Sequence, residues 1–140
     1  MATAETSGTA PQAFYSCHIP VRWGDMDALG HMNNTVYFRY LEQARISWFD
    51  SLGVDYGQGE GPILGTISCR FRIPIAYPAE LAVSLHASDA RTSSFVLTSE
   101  ITERSDARLY ATAEAVMVWI DLAAAKSRPL PDWLRELIQS

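Results

Sequence analysis

The chain has 140 residues, of which 48% are hydrophobic and 19% charged, and its net charge is −5. This length is typical of one domain, and the apolar content excludes a disordered chain. The acidic balance, with no run of lysine or arginine, excludes a general nucleic-acid binder, and no apolar stretch approaches the roughly 20 residues that cross a membrane.

The first 13 residues are rich in alanine, threonine, serine and glycine and lack the apolar core of a secretory signal. We therefore expect a flexible tail over residues 1–13 and a single domain over residues 14–140. Cys17 and Cys69 have no metal-binding spacing, and each lies in an apolar, strand-like segment. Two buried, reduced thiols in a cytoplasmic protein are predicted, and one disulfide is the less favoured alternative.

The domain begins with a strand, a loop and a long helix. Alternation of apolar and polar side chains predicts a strand over Phe14–Trp23, in which Pro20 marks an edge or a bulge. A polar loop containing glycine follows at Gly24–Asn34. Apolar side chains at three- and four-residue spacing then predict a helix over Thr35–Leu52, ended by Gly53. Because this helix is apolar on several faces, we expect it to be covered on several sides.

After a flexible connection at Gly57–Gly61, the sequence from Pro62 onward has the pattern of four consecutive strands separated by short turns. The sheet pattern ends at Lys126–Pro131, and a short helix is predicted over Pro131–Ile138. Consecutive strands joined by short turns pair antiparallel. The prediction is therefore an α+β domain in which a curved antiparallel sheet wraps around one long central helix.

The loop before the long helix carries Asp25, Asp27 and His31. A helix N-terminus presents unpaired N–H groups and a positive dipole end, which favour an anion or a developing oxyanion. A nearby ionised carboxylate can act as a nucleophile or as a base toward water. The combination suits hydrolysis of an activated acyl group. The alternative interpretation is that these residues are ordinary helix caps and turn formers.

Other chemistries have no support in the sequence. No pair of histidines or cysteines has metal-ligand spacing, so neither a metal site nor a cofactor is expected. The chain also has no serine-nucleophile elbow and no glycine-rich dinucleotide motif.

The segment Val21–Arg45 resembles the opening of the 4-hydroxybenzoyl-CoA thioesterase family of hotdog-fold proteins. The shared pattern is R-W/F-x-D-x-D-x-x-G-H-V/M-N-N-x-x-Y-x-x-Y-x-E-x-A-R. The residues that match it are Arg22, Asp25, Asp27, Gly30, His31, Asn33, Asn34, Tyr37, Tyr40, Glu42, Ala44 and Arg45. The resemblance implies the same shape that the periodicity predicts, a sheet wrapped around a long helix.

What the resemblance implies about function is hydrolysis of an acyl-CoA thioester. The catalytic carboxylate of the family matches Asp27, in either a nucleophilic or a general-base role, and the amide that polarises the carbonyl maps to about Asn34. Asp25 is expected to order the loop. The residues expected to contact the substrate are His31, Met32, Asn33 and Tyr37, and Met32 stands where valine is commoner.

Two alternative functions are compatible with the same fold. One is hydrolysis of acyl groups held by a carrier protein, although the scattered arginines give no evident basic docking surface for an acidic carrier. The other is a non-catalytic acyl-CoA binding module, which loss of the Asp27 carboxylate would favour. We expect a homodimer, or a tetramer built from two dimers, because one curved sheet leaves its edge strands open. The arginines expected to bind CoA phosphates lie near strand ends and turns: Arg70, Arg72, Arg91, Arg104 and Arg128.

Overall fold

The computed structural model describes residues 12–140 and the backbone of Thr3–Ala4. Most of the predicted tail, residues 1–13, lies outside the described residues. The strands are β1 (Thr3–Ala4), β2 (Phe14–Pro20), β3 (Glu60–Phe71), β4 (Glu80–Ser88), β5 (Ser94–Glu103), β6 (Leu109–Asp121) and β7 (Lys126–Ser127). The helices are α1 (Asn34–Ser51) and α2 (Asp132–Gln139), and short 3-10 turns occupy Trp23–Asp25 and Tyr56–Gln58.

Within the described residues, seven strands form one antiparallel sheet in the order β1-β2-β4-β5-β6-β3, with β7 added beside β6. The predicted architecture, a curled antiparallel sheet with one long helix, is confirmed. The end of the sheet at which β2 and β3 finish also holds the loop that precedes α1. We call it the loop end, and the opposite end holds the carboxyl end of α1.

The core lies between the concave face of the sheet and α1. Trp48 of α1 is almost fully buried, and its ring meets Phe95 of β5 at a centroid distance of 6.3 Å. The strands contribute alternate side chains to this face, as their period of two requires. The other buried residues of these elements include Tyr37, Tyr40, Leu41, Ala44, Leu81, Val83, Leu85, Leu97 and Ile101.

The expectation that consecutive strands all pair is wrong for β3. This strand pairs with β6, whereas β4 lies between β2 and β5. The cause is the connection over residues 72–79, which contains Pro74 and Pro78 and buries Ile75 completely. It carries the chain to the β2 side, where the Val21 N–H donates to the Ala79 carbonyl at 2.9 Å. A proline lacks the N–H of a ladder bond, so a direct β3–β4 hairpin is disfavoured here.

Strand β3 is consequently an outer strand, and its side chains are poorly covered. Ile63, Leu64 and Phe71 are 41%, 40% and 43% exposed, and Ile73 just beyond the strand is 40% exposed. An outer strand also has one row of backbone N–H and C=O groups without a neighbouring strand. The chain therefore presents an apolar, unpaired sheet edge.

Two predicted connections are more ordered than expected. In Gly57–Gly61, the Asp55 carboxylate accepts the Gly57 N–H at 2.8 Å and caps a 3-10 turn, so that β3 begins at Glu60. The segment after β6 forms β7, which adds Lys126 and Ser127 to the sheet. None of the described helices has the length and hydropathy needed to span a bilayer.

Both cysteines are free thiols, and the predicted burial holds for Cys17 but only in part for Cys69. Cys17 is fully buried in β2, and burial raises the pKa of its thiol to about 11. Cys69 is half-buried in β3, and burial raises its thiol pKa as well. Since the thiolate is the reactive form, both groups are poor nucleophiles at neutral pH.

The core packing gives a stability prediction. Phe95→Ala removes a fully buried ring from the helix–sheet contact, and the free energy of unfolding should fall by about 3–5 kcal/mol. Phe14→Ala is the matched control, because the Phe14 side chain is 50% exposed on the same sheet. Its cost should stay below about 1 kcal/mol. Urea denaturation of both variants measures the difference, and equal losses would contradict the assignment of the core.

Candidate active site

The loop between β2 and α1 is fixed by backbone hydrogen bonds. The Asp25 N–H donates to the Arg22 carbonyl at 3.0 Å within the 3-10 turn, and Met26 forms an isolated bridge with Met32. The Met32 N–H donates to the Ile75 carbonyl at 2.7 Å, which joins the loop to the connection after β3. The loop is polar but ordered, and its side chains are held in defined places.

Asp27 is held through one of its two carboxylate oxygens. Its Oδ1 accepts the N–H groups of Leu29 at 2.9 Å and His31 at 3.3 Å, and the Asp27 N–H donates to the His31 carbonyl at 2.7 Å. Gly30 takes a φ of +78°, which closes this tight turn. Among residues 12–140, no group donates to Oδ2. One oxygen is therefore anchored, and the other is free to accept a proton or to attack.

The N-terminus of α1 follows directly. Asn33 is the N-cap, and its side-chain oxygen accepts the Thr35 N–H at 3.0 Å. The Asn33 N–H donates to the Asp25 carbonyl at 3.1 Å, and the Val36 N–H donates to the Asn33 carbonyl at 2.9 Å. The Asn34 N–H lies between these amides and has no acceptor in the described part of the chain. It is an unused donor at the positive end of the helix dipole.

Tyr40 reaches this loop from the second turn of α1. Its hydroxyl donates to the Asp25 carboxylate, which also accepts the Arg22 N–H at 3.3 Å. Burial, and next the Asp25 carboxylate, hold the pKa of the Tyr40 hydroxyl well above its usual range. The sequence analysis matched Tyr40 to the family pattern but gave it no role in the site. Its fit to the motif was the available signal, but the partner fifteen residues away had to come from the fold.

Tyr37 is buried on the inner side of the first helical turns. Its ring meets Phe71 edge-on, with centroids 4.7 Å apart and planes at 80°. Burial of Tyr37 raises the pKa of its hydroxyl. Met32, in the preceding loop, is also buried. Phe71 belongs to the exposed edge strand, so this aromatic wall continues to the surface. The contribution of Phe71 was missed because it depends on a contact between residues 34 positions apart.

The structure thus brings the predicted site residues together in one loop and helix start: Asp27, His31, Met32, Asn33, Asn34 and Tyr37. The His31 side chain is exposed, and its backbone binds Asp27. No group of three or more His, Cys, Asp or Glu residues within the described residues is arranged to hold a metal ion.

The five predicted CoA-binding arginines do not lie together in the single chain. Arg70, Arg72 and Arg104 lie toward the loop end and have no ion pair among the described residues. Arg91 pairs with Asp89 at 3.3 Å at the opposite end. Arg128, also at that end, pairs with Glu60 at 3.6 Å and Asp121 at 3.3 Å.

A curled antiparallel sheet around one long helix is the fold of the hotdog thioesterases. Residues 21–138 match the family model of the thioesterase-like superfamily, and the chain belongs to that family. The narrower assignment to the 4-hydroxybenzoyl-CoA thioesterases stays a prediction.

Individual proteins of known structure or known name are also similar to this chain. The PA2801 protein of Pseudomonas aeruginosa is 42% identical, with a TM-score of 0.83 over 88% of this chain and 96% of its own. Slr0204, a 1,4-dihydroxy-2-naphthoyl-CoA thioesterase from Synechocystis, is 23% identical, with a TM-score of 0.81 over 91% of this chain and 96% of its own, and shows the shared fold. The chloroplastic acyl-acyl carrier protein thioesterase ATL3 of Arabidopsis thaliana is 21% identical over 118 residues, which are 81% of this chain and 62% of that protein.

Proposed function

We propose that the protein hydrolyses acyl-CoA thioesters to a free acid and CoA. Membership in the thioesterase-like family supports thioester hydrolysis. The observation that carries the proposal is that Asp27, whose Oδ2 accepts no hydrogen bond within residues 12–140, lies in the turn that leads directly into α1, where the Asn34 N–H is free. A thioester needs both a group that delivers an oxygen nucleophile to the carbonyl carbon and a donor that stabilises the oxyanion.

In this mechanism the thioester carbonyl oxygen accepts the Asn34 N–H, and the dipole of α1 stabilises the negative charge that develops on that oxygen. Asp27 acts in one of two ways. As a general base, its Oδ2 takes a proton from a water whose oxygen bonds to the carbonyl carbon. As a nucleophile, Oδ2 bonds to that carbon itself and forms an anhydride that water then hydrolyses. In both cases the carbon–sulfur bond breaks, CoA leaves as the thiolate, and the water oxygen enters one of the carboxyl products.

The acyl group would lie against the apolar side of the same loop and helix. The ring pair of Tyr37 and Phe71 would form that wall. Met32, His31 and Asn33 stay predicted substrate contacts on the loop side. Phe71 is 43% exposed in the single chain, so a second surface could pack against this side of the acyl site.

The CoA phosphates would bind arginines that are not already neutralised. Arg70, Arg72 and Arg104 fit best, because they lie toward the loop end and have no carboxylate partner among the described residues. Arg91 and Arg128 stay predictions, and each would have to exchange an existing ion pair for a phosphate.

An acyl group on a carrier protein is the second candidate substrate. The similarity to the carrier-protein thioesterase ATL3 favours it, and the same Asp27 and Asn34 would serve. Against it, the net charge of −5 does not favour association with an acidic carrier. A protein that binds acyl-CoA without turnover is the third candidate.

We also propose that the working unit contains two copies of this chain joined along β3. Its free backbone groups and its exposed Ile63, Leu64 and Phe71 need a cover, and an identical strand supplies both hydrogen bonds and apolar contact. The open side of the acyl wall lies along this strand, so a second copy would complete it. Two such dimers could associate further into a tetramer.

The dimer is tested by sedimentation at micromolar concentration. The wild-type chain should sediment as a dimer or a multiple of it. Leu64→Asp places a charge on the exposed apolar surface of the outer strand and should shift the protein toward the monomer with loss of activity. A well-folded, fully active wild-type monomer would contradict the proposal.

The catalytic assignment is tested by two isosteric substitutions. Asp27→Asn can keep the hydrogen bonds of the turn but cannot act as base or nucleophile, so kcat should fall by at least about 10²–10⁴-fold. Asp25→Asn should act mainly on the thermal midpoint, with a smaller fall in kcat. Both are measured with kcat, KM and thermal midpoint on a panel of aliphatic and aromatic acyl-CoA esters.

Near-wild-type kcat for Asp27→Asn together with a loss for Asp25→Asn would reverse the two roles. If the wild-type protein binds these esters without hydrolysing any of them, the binding module replaces the enzyme.

A further inference from the structure

We infer that Tyr40 is a positioning residue for hydrolysis, whose hydroxyl sets the separation of the Asp27 carboxylate and the Asn34 amide by holding Asp25. This inference rests on the proposed function. Tyr40 touches no reacting atom in it; the hydroxyl acts through the loop.

The two reacting groups belong to separate units of the backbone. Asp27 belongs to a turn that is closed on itself by hydrogen bonds from Leu29, Gly30 and His31 to its carboxylate or carbonyl oxygens. Asn34 belongs to α1 and moves with the helix. Their separation therefore depends on the contacts that join the turn to the helix.

Asp25 makes most of these contacts. Its backbone carbonyl accepts the Asn33 N–H at 3.1 Å, next to Asn34, and its carboxylate accepts the Tyr40 hydroxyl. Asp25 also lies two residues before Asp27. Asp25 thus links the catalytic turn to α1 at two positions along the helix, at the N-cap and at the second turn.

The helix side of this link is rigid. The Tyr40 ring is only 6% exposed and packs in the core. Without its hydroxyl, the Asp25 carboxylate would keep the Arg22 N–H at 3.3 Å, which belongs to the loop and not to the helix. The side-chain link to α1 would be lost, and only the Asn33 N–H bond and the chain itself would remain. A shift of about 1 Å between reacting groups can cost on the order of 10²-fold in rate.

The chain supplies a matched control. The buried Tyr110 hydroxyl donates to the Glu103 carboxylate at 2.7 Å, and this pair makes no hydrogen bond to the catalytic turn or to the first residues of α1. Tyr110→Phe removes the same atom from the same kind of tyrosine–carboxylate pair. It separates a general loss of stability from a specific loss of positioning.

The experiment compares Tyr40→Phe and Tyr110→Phe in the full-length protein on the acyl-CoA ester that the wild type hydrolyses fastest. Tyr40→Phe should lower kcat by about 10- to 100-fold with KM changed by less than about two-fold. Tyr110→Phe should keep kcat within about two-fold of wild type. Hydrogen exchange gives a readout without substrate, in which the Asn33 amide should exchange faster in Tyr40→Phe and not in Tyr110→Phe.

An unchanged kcat in Tyr40→Phe, or equal falls in both variants, would overturn the role of Tyr40 and leave the proposed function intact. A wild-type protein that hydrolyses no ester would overturn the proposed function and this inference with it. These two failures are separated by the wild-type measurement alone.

Discussion

The packing of α1 inside the curled sheet is the constraint on which the rest of the molecule depends. A helix with apolar side chains on several faces cannot rest on a flat sheet, so the strands must bend around it. Tyr37 and Phe49 mark the two ends of the buried stretch, and both are almost completely covered. A sheet that bends in this way does not close on itself with a single copy of the chain. It leaves β3 as an apolar edge with unpaired backbone groups.

The same packing creates the candidate site. Because α1 is held along its length, its first turn is fixed at the loop end of the sheet, and the Asn34 amide has no partner there. In the preceding turn, the N–H groups of Leu29 and His31 hold the Asp27 carboxylate by one oxygen. The fold thus places a free backbone donor and a free carboxylate oxygen in the same loop and helix start. This arrangement is the kind of preorganisation that stabilises charge in a transition state.

The features of the fold that depend on local sequence could be predicted from the sequence alone. The strong three- and four-residue periodicity predicted α1 to within one residue of its observed ends. The wrapped sheet followed from the apolar character of that helix. The loop motif also selected Asp27 and Asn34 as candidate site residues, because their placement in the turn and at the helix start depends on chain position and not on distant contacts.

The features that depend on contacts between distant parts of the chain could not be predicted from the sequence. The pairing of β3 with β6 depends on how the proline-containing connection over residues 72–79 crosses the domain, and strand periodicity carries no information on partners. The Tyr40–Asp25 hydrogen bond and the Tyr37–Phe71 ring contact need the three-dimensional path of the chain. The ion pairs of Arg91 and Arg128 were equally hidden, since an arginine near a turn looks the same whether or not a carboxylate neutralises it.

The central claim, that the Asn34 amide stabilises the oxyanion, is tested by replacing that amide alone. Asn34 is the first residue of α1, where proline is well tolerated, and Asn33 has the extended φ and ψ of −60° and 136° that a following proline requires. Asn34→Pro should therefore fold and lower kcat by about 10²–10³-fold. Asn34→Ala keeps the N–H and should retain kcat within about two-fold. A folded Asn34→Pro protein with wild-type kcat would contradict the account.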